Sequence, residues 1–544
     1  MGDYAKPSAA PTIVGGVAIV LIVIFLRNAW RVRRYMRTLQ SQGLPMPPHN
    51  IVFGHLGLVA SIQKQLPADA HGHYLADQIR QRYPSLGSTF YVDLWPFSDP
   101  MLMVTDPDVV AQFSTADHLL PKHPGIKTFL YPITGGYDLN CLNGETWKFW
   151  RRLFNPGFSA AHIQTLVPTI VEEVAIFRQD LLERARDGKM FAFEEHTLSL
   201  SIDVIGRVAL DTKLNTQGKP SPWISALLRQ RQWAAFGLEM GIWMLINPMR
   251  YIHMWNNRRI MDKYIDRDLD KRYNTGIADA KSKTIVDLAL KGYKSERNAS
   301  TKDKSEIDSV FRKYVRSQMK VFIFAGHDAA STTMCYCWLL LSRNPEVLTK
   351  LRKELDAVLG PDNAKVVSVL TENPTLLNRL TYTLAVIKET LRLFPVVSAA
   401  RGGLKNFILT DSEGRRFPTE HCLVWAVHYG IHHNPSWWPH VSDFIPERFL
   451  TDAERPEELR PRKSAWRPFE LGPRACIGTE LALTELKVVL ALTVREFDVQ
   501  EAFTEWDRIN KPKGVKTVDG ERAYQVQLGS AHPVDGFPVR IFAR

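Results

Sequence analysis

The decapeptide Phe469-Glu470-Leu471-Gly472-Pro473-Arg474-Ala475-Cys476-Ile477-Gly478 gathers the residue types needed to present a thiolate to a metal. Gly472 and Pro473 can turn the chain, and Arg474 offers a guanidinium to an acidic group. The apolar run from Thr479 to Val494 reads as a helix whose N-terminus would favour negative charge on the sulfur. Gly478 omits a side chain where backbone would pass close to a flat group. A lone cysteine is most often an inert buried residue. Here the frame carries the reading, because Phe, Gly, Arg, Cys and Gly at fixed places in such a run arise by chance on the order of once in ten thousand chains of this kind.

Further residues able to do chemistry lie upstream. Inside a long apolar run, Phe324-Ala325-Gly326-His327-Asp328-Ala329-Ala330-Ser331-Thr332-Thr333 places Gly326 where a helix can kink and admit water, and Asp328 where it can relay protons. His327 reads as a neighbour of that notch with satisfied hydrogen bonds, not as a metal ligand. Glu389 and Arg392 share a helix face and can neutralise each other when buried. The same spacing at Glu183 to Arg186 and Glu457 to Arg460 reads as solvated surface. Only the copy at 389 is followed directly by Phe394-Pro395 and stands upstream of the run Phe444-Ile445-Pro446-Glu447-Arg448-Phe449. Trp147 and Arg151 also share a face, but Trp30 to Arg34 and Trp255 to Arg259 repeat the spacing, which by itself fits a core tryptophan with a surface arginine equally well.

Taken together, these motifs resemble the cytochrome P450 family. The decapeptide matches that family's haem signature, Phe-x-x-Gly-x-Arg-x-Cys-x-Gly, at every position. Glu389 to Arg392 is similar to the Glu-x-x-Arg of its K helix, with Arg448 as third member of a buried network. Trp147 and Arg151, set between Gly144-Glu145-Thr146 and Asn155-Pro156-Gly157-Phe158, resemble the Trp-x-x-x-Arg of its C helix. The resemblance implies haem b with Cys476 as proximal iron ligand, Phe469 and Gly478 beside it, and Arg474, Trp147, Arg151 and Arg401 toward the propionates. The oxygen-side pattern departs from the family's Ala/Gly-Gly-x-Asp/Glu-Thr-Thr/Ser: Ala329 and Ala330 stand where hydroxyls are usual, which leaves Asp328 and ordered water as the expected proton route. The segments from His123 to Gly125 and from Gly135 to Tyr137 resemble fungal members that oxidise polyketide or terpenoid intermediates.

The elements that must position these residues are legible as periodicity. Apolar residues at three- and four-residue spacing predict helices over Ile163–Arg186, Ile307–Arg343 and Leu380–Arg392, with strands at Ser88–Leu94 and Met101–Thr105. Gly292–Ser305, crowded with Lys, Ser and Asn, predicts a surface loop, and the Trp-rich stretch Trp223–Trp255 falls in the family's distal lid, able to dip into a bilayer. The expected fold is mainly α with a small β domain, the P450 fold, preceded by one transmembrane helix. A short lumenal segment over 1–8, an anchor over 9–26, a basic and proline-rich linker over 27–49 and a catalytic domain over 50–544 follow from the uncharged run to Leu26, the cluster Arg27, Arg31, Arg33, Arg34 and Arg37, and Pro45, Pro47 and Pro48. With 45% hydrophobic and 23% charged residues the chain is no disordered tail. The net charge of +12, without a nucleic-acid motif, points to anionic membrane or an acidic partner protein. Five unpatterned cysteines argue against a disulfide framework and for a reducing compartment.

The expected activity is that of a haem-thiolate monooxygenase. It would insert one oxygen atom from O2 into a hydrophobic small molecule, a secondary-metabolite intermediate, with electrons from NADPH through NADPH-cytochrome P450 reductase. Single-pass anchoring in the endoplasmic reticulum membrane with the catalytic domain in the cytosol completes the expectation; no nucleic acid is involved. Ala329 keeps alive a haem-thiolate isomerase or dehydratase that uses no O2, and a non-catalytic haem-binding sensor or carrier is the alternative from another class.

Overall fold

A computed structural model describes residues 10–115, 118–219, 221–234, 247–274, 284–298, 308–462 and 464–544. The helices that matter to the site are α1 (Ala10–Ser41), α2 (Gly144–Phe154), α3 (Ala160–Asp187), α4 (Phe193–Leu210), α5 (Pro222–Ala234), α6 (Pro248–Asn274), α7 (Ile285–Asn298), α8 (Ser309–Arg343), α9 (Thr381–Leu393) and α10 (Thr479–Thr493). Each periodic segment read in the sequence is realised with small shifts at its ends. Ser159 caps α3 at the N–H of His162, Gly188 ends it in the left-handed conformation at φ +61°, and Asp308 caps α8 at the N–H of Val310. Helix α8, about 50 Å long at its 35 residues, crosses the core packed along α4 and against α9 and α10. Where α10 meets α4, the carboxyl of Glu485 is buried and accepts a hydrogen bond from Ser201 at 2.7 Å.

The sheets are short. Strands β1 (Thr89–Val92), β2 (Met101–Val104), β4 (Ala399–Gly402) and β5 (Leu423–Ala426) form one sheet in the order β1-β2-β5-β4, with Arg401 opposite Val424. The pair β2–β5 is parallel and its neighbours antiparallel. Strands β3 (Phe191–Ala192) and β6 (Phe497–Glu501) flank β9 (Pro538–Ala543), and β7 (Gln525–Gln527) pairs with β8 (Ala531–Pro533) as a hairpin. Thr332 of α8 donates to the carbonyl of Ala531 at 3.0 Å, fixing that hairpin on the core helix.

Two sequence expectations are corrected. The stretch read as a linker over 27–49 is helical to Ser41, because nothing between Arg27 and Gln40 breaks a helix, and only beyond it do Pro45, Pro47 and Pro48 impose extended chain. Its lower half belongs to the domain: Met36 and Leu39 are buried with Leu102 and Val424, Arg33 is ion-paired to buried Asp93, and Tyr35 donates to the carbonyl of Glu420 at 2.8 Å. The upper half is exposed, and α1 is long and apolar enough to cross a membrane. The loop expected over Gly292–Ser305 begins as helix, since α7 runs to Asn298, seeded by buried Val286, Ala289 and Leu290 with Lys291 and Ser295 exposed. Tyr293 stacks on Phe311 with ring centroids 3.8 Å apart. The remainder of that loop, Ile307 and Trp243 lie outside the described residues. Trp223 is buried against Tyr264, whereas Trp255, Tyr251 and Ile252 are exposed on α6.

Candidate active site

The loop before α10 is locked by its own backbone. The N–H of Cys476 donates to the carbonyl of Phe469 at 2.7 Å, and that of Ala475 to Gly472 at 3.0 Å. Gly472 has φ +78°, and a Cβ there would stand 1.9 Å from the carbonyl oxygen of Ser114, so only glycine fits. Glu470, also at positive φ, is held by Arg467 at 2.7 Å and by His428 at 3.3 Å. Burial would raise its carboxyl, but the hydrogen bonds and charges of these two carry it down to about 2. Cys476 has exposed surface, yet protein surrounds its thiol closely enough that burial is the largest influence on it, so its sulfur faces an internal space. Burial pushes its thiol up, while the N–H of Gly478 and the charge of Arg151 pull it down. A bound metal cation would complete that pull to a thiolate.

Cations crowd the same side of the loop. Arg401 is fully buried, yet among the described residues none of its guanidinium nitrogens has a hydrogen-bond partner; Glu470 is its ion-pair contact, at 3.9 Å. Arg474 lies over the Trp147 ring at 3.9 Å and donates to Leu142 and to Asn143 at 2.9 Å each, with its Nε unpartnered. Burial and the nearby Arg401 and Arg151 lower it to about 9. Lys122, bridged to Arg401 across the backbone, is lowered to about 7 by burial and by Arg401 and Arg474. Arg151 turns to the cysteine loop instead, donating to the carbonyl of Ala475 at 3.0 Å and to Asn155 at 2.8 Å. A buried guanidinium without hydrogen bonds is costly. The donor set therefore fits a dianionic group, as the two propionates of a metal-bearing ring beside Cys476 would supply.

Helix α9 is anchored behind this loop. Glu354 takes the N–H groups of Tyr382 and Thr383 at 2.6 and 2.8 Å, completing the helix N-terminus from outside. Glu389 then receives Arg392 at 2.8 and 2.7 Å and Arg448 at 3.2 Å, all three with no exposed surface. The spare donors of Arg392 go to the carbonyls of His432, Val441 and Asp443. Every charge in this network is thus paired and hydrogen-bonded, the condition under which buried ions are tolerated.

On α8, every residue from Ser317 to Leu341 is buried except Ala325, Gly326 and Ala329. These small residues at i, i+1 and i+4 open one helix face onto internal space. The helix runs unbroken through Gly326, and the glycine allows close approach to α4, where a Cβ would meet Ile205 at 3.0 Å. The following hydroxyls are committed elsewhere, Ser331 to Thr197 at 2.7 Å, Thr332 to Ala531 and Thr333 to the carbonyl of Ala329 at 2.7 Å. Asp328 is not a free carboxylate. It receives Ser530 at 2.7 Å, His532 at 3.0 Å and Arg231 of α5 at 3.3 Å, and although burial would raise it, His532 foremost holds it well below the usual range. His327 Nδ1 donates to the carbonyl of Ile323 at 2.6 Å, whereas its Nε2 has no hydrogen-bond partner among the described residues, so the ring is only half satisfied.

Lys122, His428, Arg231, Ser530 and His532 were not visible as site residues in the sequence, because each reaches its place from a distant segment and none sits in a spaced motif. Glu470 lies inside the decapeptide, at a position the signature leaves open.

The family model for Cytochrome P450 matches residues 45–527. Among curated proteins, the chain is 45% identical to "Cytochrome P450 monooxygenase polC" of Polytolypa hystricis, over 99% of this chain and 96% of that one. It is 34% identical to "Cytochrome P450 monooxygenase acrF" of Aspergillus aculeatus, over 89% and 99%. A solved structure titled "Crystal structure of a Cytochrome P450 (CYP102L1)" superposes with a TM-score of 0.70 at 20% identity, covering 87% of this chain and 98% of that one, a likeness of fold.

Proposed function

Since the chain belongs to the cytochrome P450 family, whose cofactor is iron protoporphyrin IX, we propose that it oxidises a hydrophobic small molecule with O2, using electrons from NADPH delivered by NADPH-cytochrome P450 reductase. The observation that carries this reading is the fully buried Arg401, whose guanidinium nitrogens find no hydrogen-bond partner among the described residues, beside a cysteine that faces internal space. Cys476 would supply the thiolate that holds the haem iron, and Arg401, Arg474 and Lys122 would hold the propionates while Trp147 braces Arg474. Arg151 stabilises the cysteine loop through Ala475. Bound haem supplies the metal centre at which oxygen is reduced and inserted. The protein's own contribution is to seat the substrate and to hold a proton at Asp328. Ala325, Gly326 and Ala329 leave room on α8, and exposed Val397 and Leu528, on segments joined by the hydrogen bond from Ala531 to Val396, offer apolar surface to the substrate. The fungal relatives support a secondary-metabolite intermediate as that substrate. Helix α1 supports anchoring in the endoplasmic reticulum membrane with the domain in the cytosol.

The test is expression of the full chain with a microsomal reductase. The reduced protein with carbon monoxide is expected to give the thiolate-type Soret band, Cys476→Ala to lose it, and NADPH and oxygen consumption to accompany conversion of the intermediate that accumulates when the gene is removed. Conversion without either co-substrate would replace this reading with an isomerase.

A further inference from the structure

The β7–β8 turn lays two side chains on Asp328 that the α8 motif does not contain. Ser530 Oγ donates to Asp328 Oδ2, and His532 Nε2 stands against the same oxygen at 3.0 Å. The other ring nitrogen, Nδ1, faces Glu194 Oε1 of α4 at 2.6 Å. An imidazole with a carboxylate oxygen at each nitrogen is satisfied only when both nitrogens carry a hydrogen. It is also fully buried, so both carboxylates and the ring form one closed charge cluster. The remaining groups around it are Arg231 on the outer oxygen of Asp328, His327 at 3.6 Å from that oxygen, His71 across from the ring, and Cys335 and Tyr336 on the Glu194 side. Burial keeps both other histidines neutral, lowering His71 to about 3, whereas Asp328 and Glu194 raise His532 to about 9 despite its burial. The exchangeable proton of the cluster therefore rests on His532.

We propose that His532 is the positioning residue that holds the proton Asp328 hands on, so that the β7–β8 hairpin, with Ser530 bridging ring and carboxylate, does the work that a hydroxyl at position 329 cannot do. In the transfer, the Nε2–H bond of His532 breaks and an O–H bond forms at Asp328 Oδ2. Asp328 then releases that proton toward the open face of α8 and returns to carboxylate. The neutral imidazole, its Nδ1–H still on Glu194, takes a proton back from solvent water, so the net transfer is one solvent proton. This rests on the monooxygenase reading above.

The experiment uses the haem-loaded full chain with a microsomal NADPH-dependent reductase, NADPH and oxygen, without added substrate. Oxygen consumption by the wild type should fall as pH rises through about 9, where His532 loses its proton. His532→Gln should lower the rate at least about tenfold, abolish that alkaline limb and match the Asp328→Asn,His532→Gln double variant, since both act on one route. Carbon-13 titration of labelled histidine in the reduced carbon monoxide form should show a ring with a pKa near that limb, absent in His532→Gln and moved down by Glu194→Gln. His532→Gln with wild-type rate and pH profile, alongside a disabled Asp328→Asn, overturns the proposal alone, as does the absence of any such ring. A wild type that consumes neither oxygen nor NADPH overturns the monooxygenase reading and the proposal with it. If His532→Gln fails to retain haem, Glu194→Gln decides: a downward shift of the alkaline limb supports the proposal, and an unmoved limb overturns it.

Discussion

Arg401 is a buried cation without a hydrogen-bond partner among the described residues, so its removal should have opposite effects on the two forms of the protein. Arg401→Ala is expected to raise the Tm of haem-free protein, by relief of a cost of several kcal/mol, and to weaken haem retention by at least about tenfold, the loss of one charge-assisted contact. Thermal unfolding of both forms and haem transfer to apomyoglobin would check it; a lowered Tm in both would show that the guanidinium is paired. Glu485 gives a pH signature. Burial raises its carboxyl to about 8, so the folded state prefers the proton that the unfolded chain gives up near 4.5, and stability is fully present below that value and declines as pH rises to about 8. Glu485→Gln keeps an acceptor for Ser201 and removes the titration. It should match wild type at pH near 5 and exceed it at pH near 8 by about 2–4 kcal/mol, measured as Tm across that range.

Among the elements, α9 depends on its ion network most. Arg392→Ala leaves Glu389 with Arg448 and strands the carbonyls of His432 and Val441; the expected cost is about 3–5 kcal/mol with loss of haem incorporation, while Glu183→Ala on the solvated look-alike should change Tm by less than about 1 kcal/mol equivalent. The difference was legible only through order along the chain, since both pairs have the same spacing. Helix α1 was legible in its upper half and misjudged in its lower half: hydropathy marks where lipid could begin, but Met36 and Leu39 bury against strands read from residues far downstream, which no local window contains. Removal of residues 1–26 should therefore leave a folded, haem-binding domain with weakened membrane association. Removal of residues 1–40 should also cost stability, because it exposes Asp93 without Arg33; equal Tm for the two truncations would mean that the lower half does not dock.

At the scale of the whole molecule, the helical body and the thiolate loop could be read because they are written in local periodicity and in one dense motif. The cation cluster and the Glu194–His532–Asp328 assembly could not, because Lys122 and Arg401, or Glu194 and His532, meet only after several hundred residues have folded between them. The unbroken α1 then has a consequence for how the molecule would sit in a bilayer. A helix of 32 residues spans about 48 Å, more than the ~30 Å of hydrocarbon it would cross, and its far end is clamped in the domain. Without a hinge between span and body, tilt of the span becomes tilt of the body. Lipid acyl-chain length would thereby set the angle at which exposed Phe97, Val52 and Phe53, close to where α1 leaves the domain, meet the membrane surface.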